Sequence, residues 1–404
     1  MESESWRRCS NLELADELLE EILLRLPVKS IVRFKCVKKS WYSLFENPSF
    51  IAKHHRLRCC SQTNPSLLIE CNDSIDDIIV MSLLHPPYNE VRMLDMNIRF
   101  NNTNGGFSMR LLLPNMLGCI NGIICIGGSF GDSFNGFFLW NPAIRQYKVV
   151  PYPALPPCAL TLYPHLFYTD VSYAFGYDNN SNDYKVVRIV TYKRHADHTM
   201  VENTFVHVYT LSTDSWRQII NPKFDCLNII YKNNFDEKYL NGFYYWHGTI
   251  KDRDYEVIIG FDMSREVFRV TRMPAYYNLT LTFAVFNDYH AFIFYDDQRT
   301  VFKIRVTPSL GLGGFKSLTK QIDVGPVSEI RRPLGFAKNG ELLLLLHQDN
   351  QTIVFYDIAS QEIIENLPLT DFPKSFVTSQ AIPYVESLVS FTGENVYASP
   401  HYYY

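Results

Sequence analysis

The chain has no C-x-x-C pair, no apolar stretch at its N-terminus and little charge for its length. Its nine cysteines form an odd, irregularly spaced set, which argues against a zinc ribbon or a disulfide scaffold and favours a reducing compartment. The opening MESESWRRCSNLELADE has no hydrophobic h-region, so no secretory signal is expected. Charged residues make up only 20% of 404, whereas 47% are hydrophobic and 15% aromatic, which excludes a disordered or fibrous chain. The net charge of −4 is uneven. Residues 1–60 hold 11 Lys/Arg against 8 Asp/Glu, and the remainder hold 27 against 34, a net of −7. That acidity suits a basic protein partner better than nucleic acid. Residues 111–130 are uncharged for twenty positions, the length of a membrane helix, but they contain Pro114 and four glycines. They read instead as two strands joined at Asn121-Gly122, with no membrane span.

What is present falls into two parts. From Leu14 to His55 the sequence packs three short helical patterns into about forty residues. Leu18, Ile22 and Leu26 recur every four residues with Leu19 and Leu23 beside them, while Asp16, Glu17, Glu20, Glu21 and Arg25 take the other side. Asn11 is the expected N-cap, and Pro27 stops the helix. Ser30 is the expected cap of a second helix, with Phe34, Val37 and Trp41 in one stripe that Asn47-Pro48 breaks. A unit this small does not bury such an apolar set alone, so part of it waits for a partner.

The run LPVKSIVRFKCV, followed by KSW and NPSFIAKHH, resembles the F-box. The resemblance implies docking on a Skp-type adaptor, and through it on cullin and RING subunits of a ubiquitin ligase. Carried over by position, Leu14, Leu26, Pro27, Ile31, Val37 and Trp41 would form or support the adaptor-facing surface. Ala15 stands where the family usually has proline; alanine keeps the helix, and the affinity for the adaptor drops modestly.

After residue 60 the pattern changes to short β-branched and aromatic runs separated by Gly, Pro, Asn and Asp. Turn signals recur at Asn72-Asp73, Asn121-Gly122, Asn182-Asp183, Asn241-Gly242, Asn287-Asp288 and Asn339-Gly340, spaced by 49, 61, 59, 46 and 52 residues. Trp140-Asn141, Phe261-Asp262 and Tyr356-Asp357 follow such turns by 17–20 positions and lead into a further strand. The unit has a period near that of a propeller blade, and the long third interval, of 59 residues, contains the polar insertion Tyr192–Asn203. The expected fold is a small all-α domain of three helices at residues 1–58, then an all-β propeller-like domain of about six blades at 59–404. The last strands, around Ile382–Phe391, are expected to pair with the first unit and close the ring.

The stretches LWNPAIRQYKVVP, FGYDNNSNDYKVVRIV, VYTLSTDSWRQI, YLNGFYYWHG, FDMSREVF and YVESLVSF resemble the F-box-associated domain of plant F-box proteins, most of all the S-locus and defence-related members. Cys119 sits one place before the position where that family usually has cysteine, and Ile120 fills it, so no role passes to this thiol. The resemblance implies a substrate receptor that binds a target protein for ubiquitination and proteasomal degradation. S-RNase-like basic ribonucleases are one target class and defence receptors another; no substrate-binding residues are assigned.

Other motifs weigh less. Gly127-Gly128-Ser129-Phe130-Gly131 matches the hydrolase elbow pattern, but the following GDSFNGFFLWNP reads as loop and strand. His195-Ala196-Asp197-His198 has too few partners for zinc and reads as a solvated loop. His54-His55 reads as a helix C-terminal pair. Lys29, Arg33, Lys35, Lys38 and Lys39 read as a cationic face that steers an acidic adaptor rather than a DNA reader. Pro151–Tyr168 is either a protein-contact loop or a cover for a blade edge. The chain is therefore expected to be non-catalytic, without cofactor or metal, in the cytoplasm and also the nucleus. The alternatives are a β-propeller hydrolase and a non-degradative Skp-binding scaffold.

Overall fold

The computed structural model describes residues 16–61, 66–73, 79–85, 90–94, 99–100, 107–108, 114–130, 134–153, 167–196, 199–220, 229–231, 238–250, 255–273, 280–286, 289–296, 300–307, 320–327, 330–337, 341–346, 352–368 and 376–398. Leu14, Ala15 and the expected cap Asn11 lie outside them.

The N-terminal unit has four helices rather than three: α1 Asp16–Leu24, α2 Val28–Phe34, α3 Lys39–Phe45 and α4 Pro48–Ser61. Pro27, extended at ψ 149°, both ends α1 and opens α2, so α2 begins at Val28 and Ser30 is not its cap. Lys38 is also extended, at φ −149° and ψ 139°. It splits the expected stripe and leaves Val37 in a turn. Asn47 caps α4 by accepting the Ser49 N–H at 2.8 Å, with Pro48 at the first helical position. Because α4 runs to Ser61, His54 and His55 lie in its interior, not at its end.

Among the described residues, six sheets of four or five strands follow one another, with a two-stranded ribbon at Arg99–Phe100 and Phe107–Ser108. Apart from the first blade, whose innermost strand comes from the end of the chain, the blades lay successive strands side by side; the second, for example, uses Pro114–Ile120, Ile123–Phe130, Phe134–Asn141 and Gln146–Pro151. The innermost strands Pro114–Ile120, Phe167–Asp178, Lys238–Leu240, Thr280–Phe286, Ile330–Phe336 and Phe376–Tyr384 each adjoin the next, and the last adjoins the first. The ring is closed. Six apolar clusters sit one at each junction between consecutive blades, so every blade face is covered by its neighbour. Closure covers the blade faces and leaves only the short outermost strand of each blade at an edge.

The latch is double. Phe376–Tyr384 becomes the innermost strand of the first blade, pairing Leu68 with Ile382 and Ser66 with Tyr384. This pairing begins earlier than expected and stops at Tyr384. Val396–Ala398 then adds a fifth strand to the second blade.

The turn chemistry follows the sequence signals. Asn121-Gly122 and Asn241-Gly242 have φ of 49° and 75°, and 49° and 83°, the left-handed pair that a two-residue hairpin demands. Asn141, Asp262 and Asp357 each end a strand, and each side chain accepts the main-chain N–H two residues on, at 3.0–3.1 Å. Asn72-Asp73 is not a turn; its strand, Ser66–Asp73, continues through it. Asn287-Asp288 and Asn339-Gly340 lie outside the described residues. The polar insertion lengthens two paired strands, Asp183–Ala196 and Thr199–Thr210, instead of forming a loop.

Candidate partner-binding surfaces

The helical unit is apolar on two sides. Inward, Leu23, Leu24, Val28, Ile31, Phe45 and Phe50 form its core. Outward, Leu18 and Ile22, one turn apart on α1, are 58% and 49% exposed, with Val37 at 64% and Tyr42 at 53%. Burying a side chain of this size contributes about 1.5–3 kcal/mol, so four left in water mark a surface built to be covered.

The expected adaptor residues are distributed as follows. Pro27 and Val37 are exposed. Trp41 is half-buried between Phe34 and Phe45, with ring centroids at 5.8 and 6.4 Å. Leu26 is half-buried, and its carbonyl accepts the His54 Nε2 hydrogen at 2.8 Å. Burial holds His54 below its ordinary pKa, so this ring ties α4 to the end of α1 in its neutral form. Ile31 is fully buried and supports the surface from beneath. Leu18, Ile22 and Tyr42 join this surface without having been assigned to it; the signal for the first two is the Leu18–Ile22–Leu26 row, and Tyr42, on α3, carries none.

The β domain covers a different side of the unit. Leu388 enters its core, and Ala143 and Ile144, from the turn between Asn141 and Gln146, pack against it. Glu46 accepts Lys35 at 2.5 Å and Ser390 Oγ at 3.3 Å, and Arg58 faces Glu386 at 3.7 Å. Behind this joint Asn141 donates to the carbonyls of Ser387 and Val389 at 3.0 and 2.8 Å. A Cβ on Gly122 would stand 2.5 Å from Ser387 Cβ, so glycine is required where the segment crosses.

The remaining motifs are placed plainly. Ser129 lies in the strand Ile123–Phe130, opposite Asn135, and the partner strand Phe134–Asn141 follows. A hydrolase elbow needs a helix there. His195 sits on a strand opposite Met200, while Asp197 and His198 lie outside the described residues. Most of Pro151–Tyr168 does too. Burial pushes the Cys119 thiol up to about 12, which keeps it protonated. Among the described residues, Cys36, Cys59, Cys60, Cys71, Cys119 and Cys125 form no disulfide with one another. No described helix is long and apolar enough to cross a membrane.

Comparison with known proteins agrees with this geometry. The F-box domain family matches residues 11–53, and the F-box associated beta propeller domain family matches residues 96–391. An F-box/kelch-repeat protein of Arabidopsis thaliana is 29% identical over 63% of this chain and 63% of its own length. The Arabidopsis thaliana Protein SUPPRESSOR OF NIM1 1 is 28% identical over 63% of this chain and 61% of its own. F-box protein CPR1 of the same plant is 25% identical over 89% of this chain and 85% of its own. The chain thus spans less than two thirds of the first two relatives. With an F-box unit at its head and the propeller closed behind it, the chain belongs to the F-box proteins that carry an F-box associated beta propeller domain.

Proposed function

We propose that the chain is the substrate-recognition subunit of a Skp–cullin–F-box ubiquitin ligase. The observation that carries this is the uncovered apolar set on the helical unit, Leu18, Ile22, Val37 and Tyr42, left open while Leu388, Ala143 and Ile144 cover the other side. An adaptor helix buries that set, with Pro27, Leu26, Trp41 and the predicted Leu14 and Ala15 alongside. The propeller presents its opposite face to a target protein. The net charge of −7 over residues 61–404 favours targets with a basic surface, S-RNase-like ribonucleases among them. The chain contributes no chemistry of its own. It raises the local concentration of target lysines beside a ubiquitin-loaded conjugating enzyme. It works in the cytoplasm, and in the nucleus as well.

The test is co-purification of the full chain with a Skp-type adaptor and cullin. Ile22→Asp abolishes recovery of both while the chain stays folded. Recovery of the adaptor without cullin would support the scaffold alternative, and turnover of a generic ester lost in Ser129→Ala would support the hydrolase.

A further inference from the structure

Among the described residues of the β domain, four basic side chains are buried: Lys148, Lys185, Arg188 and Arg305. Three carry a built-in counter-charge. Lys148 meets Asp214 at 2.8 Å, Lys185 meets Asp178 and Glu266 at 2.8 and 2.9 Å, and Arg305 meets Asp323 at 3.2 Å. Arg188 is the exception. It is 6% exposed, its Nε has no hydrogen-bond partner, and no described carboxylate pairs with it. A buried guanidinium N–H left without an acceptor is unfavourable.

Aromatic rings and polar groups surround it. The Arg188 guanidinium lies 4.7 Å from the centre of the Tyr152 ring, which is donated by the neighbouring blade. That ring face balances part of the charge but offers no acceptor for the N–H fork. The Tyr152 and Tyr173 hydroxyls are 2.6 Å apart, and Phe137 packs 5.1 Å from both rings. Tyr173 and His207 flank Arg188 in one cross-strand row. His207 is also 6% exposed, and its Nδ1 has no partner. Burial first, then Arg188, pushes its pKa down to about 4, so it is a neutral polar group and not a second cation.

The position matters too. The strand carrying Arg188 starts at the Asp178–Asp183 turn. First-to-second-strand turns of a propeller share one face, which here is the face that receives residues 385–391 and the helical unit. Five residues farther on, Arg188 stands about 17 Å above it. Tyr152 likewise comes just after the far end of its strand, Gln146–Pro151. The cluster thus lies toward the face away from the F-box.

We propose that Arg188, His207 and the Tyr152–Tyr173 pair form a pocket for an oxyanion carried by the target protein, either an Asp or Glu carboxylate or a phosphate. Its assignment to the target rests on the substrate-receptor reading; anion binding itself does not. The N–H fork supplies a two-point contact and the charge balance.

Thermal unfolding of the full chain in acetate, phosphate and chloride at equal ionic strength tests this. The expected result is a saturable rise over chloride, about 2 °C at tenfold excess over half-saturation. The stronger of acetate and phosphate identifies the source as carboxylate or phosphate. Arg188→Gln abolishes the rise. Should that variant fold poorly, Arg188→Lys keeps the charge without the fork, and its half-saturation moves at least tenfold. Both bind the adaptor like the parent chain. No anion-specific rise in the parent chain, or an equal rise in Arg188→Lys, overturns the pocket. Loss of adaptor binding by the parent chain would instead overturn the proposed function and leave the anion result standing.

Discussion

The side-chain amide of Asn141 donates to the main-chain carbonyl of Ser387 at 3.0 Å, across 246 residues of sequence. Its second hydrogen reaches Val389, and its oxygen accepts the N–H of Ala143. One buried residue thereby fixes both chain segments that touch the helical unit, the turn after Trp140 and the segment carrying Leu388. Ring closure and F-box packing are parts of one construction.

Asn141→Ala strands the buried carbonyl of Ser387, at about 1–3 kcal/mol, and the half-buried one of Val389, which costs less. The expected loss is about 2–4 kcal/mol in denaturant unfolding, with faster proteolysis of the helical unit as it loosens. Gly122→Ala should act in the same direction, since its Cβ would collide with Ser387 and its φ is +75°.

The outward and inward rows of the helical unit separate binding from stability. Leu18→Asp and Ile22→Asp, at 58% and 49% exposure, are expected to abolish adaptor capture and shift stability by less than about 0.5 kcal/mol. Ile31→Ala removes a fully buried side chain and is expected to cost about 2–5 kcal/mol. Calorimetric melting and adaptor titration on the same samples distinguish the two effects.

Lys148 has no exposed side-chain surface and holds Asp214, while also donating to the carbonyls of Thr392 and Glu394. Asp214→Asn leaves that ammonium without its counter-charge and is expected to cost about 3 kcal/mol. Burial alone would raise the pKa of Asp214 and of Asp178. Hydrogen bonds from Lys148 and Tyr209 in one case, and from Lys185, Ser264 and Ser181 in the other, outweigh it and hold both below the ordinary carboxylate value. Depressed carboxylates contribute stability that is present above the unfolded pKa, about 4, and lost as pH falls through the folded values. Unfolding free energy should therefore fall steeply below pH ~4, and less steeply in Asp214→Asn.

Truncation tests the double latch. Ending the chain before Phe376 deletes the innermost strand of the first blade and uncovers Leu67, Ile69 and Cys71, so no folded ring is expected by circular dichroism or gel filtration. Ending it after Phe391 removes the Val396–Ala398 strand, the carbonyls bound by Lys148 and the main-chain bonds of Glu394 and Asn395, but no innermost strand, so a folded chain with a lower melting temperature is expected.

Much of this was legible beforehand because local chemistry and fold agree. Asn-Gly pairs demand left-handed φ, and an Asn or Asp after an aromatic residue closes the next turn through its own side chain; both recur at blade spacing. The departures have physical causes too. Periodicity alone read Phe34, Val37 and Trp41 as one helix, yet Lys38 is extended and breaks it. Composition read Tyr192–Asn203 as loop, yet pairing with a neighbouring strand overrode the polar sequence. The apolar excess at the N-terminus was evident, but not which row faces out, because Leu388 and Ile144 arrive from far along the chain to choose the inner one. The Arg188 cluster left no local trace, since only the packing of the second blade on the third brings Tyr152 against it.

The most direct measurement is the affinity of the purified full chain for a Skp-type adaptor, titrated by calorimetry beside Ile22→Asp. This account predicts a one-to-one complex for the parent chain, none for the variant, and the same melting temperature for both. An adaptor that ignores the parent chain, or binds the variant equally well, would contradict it.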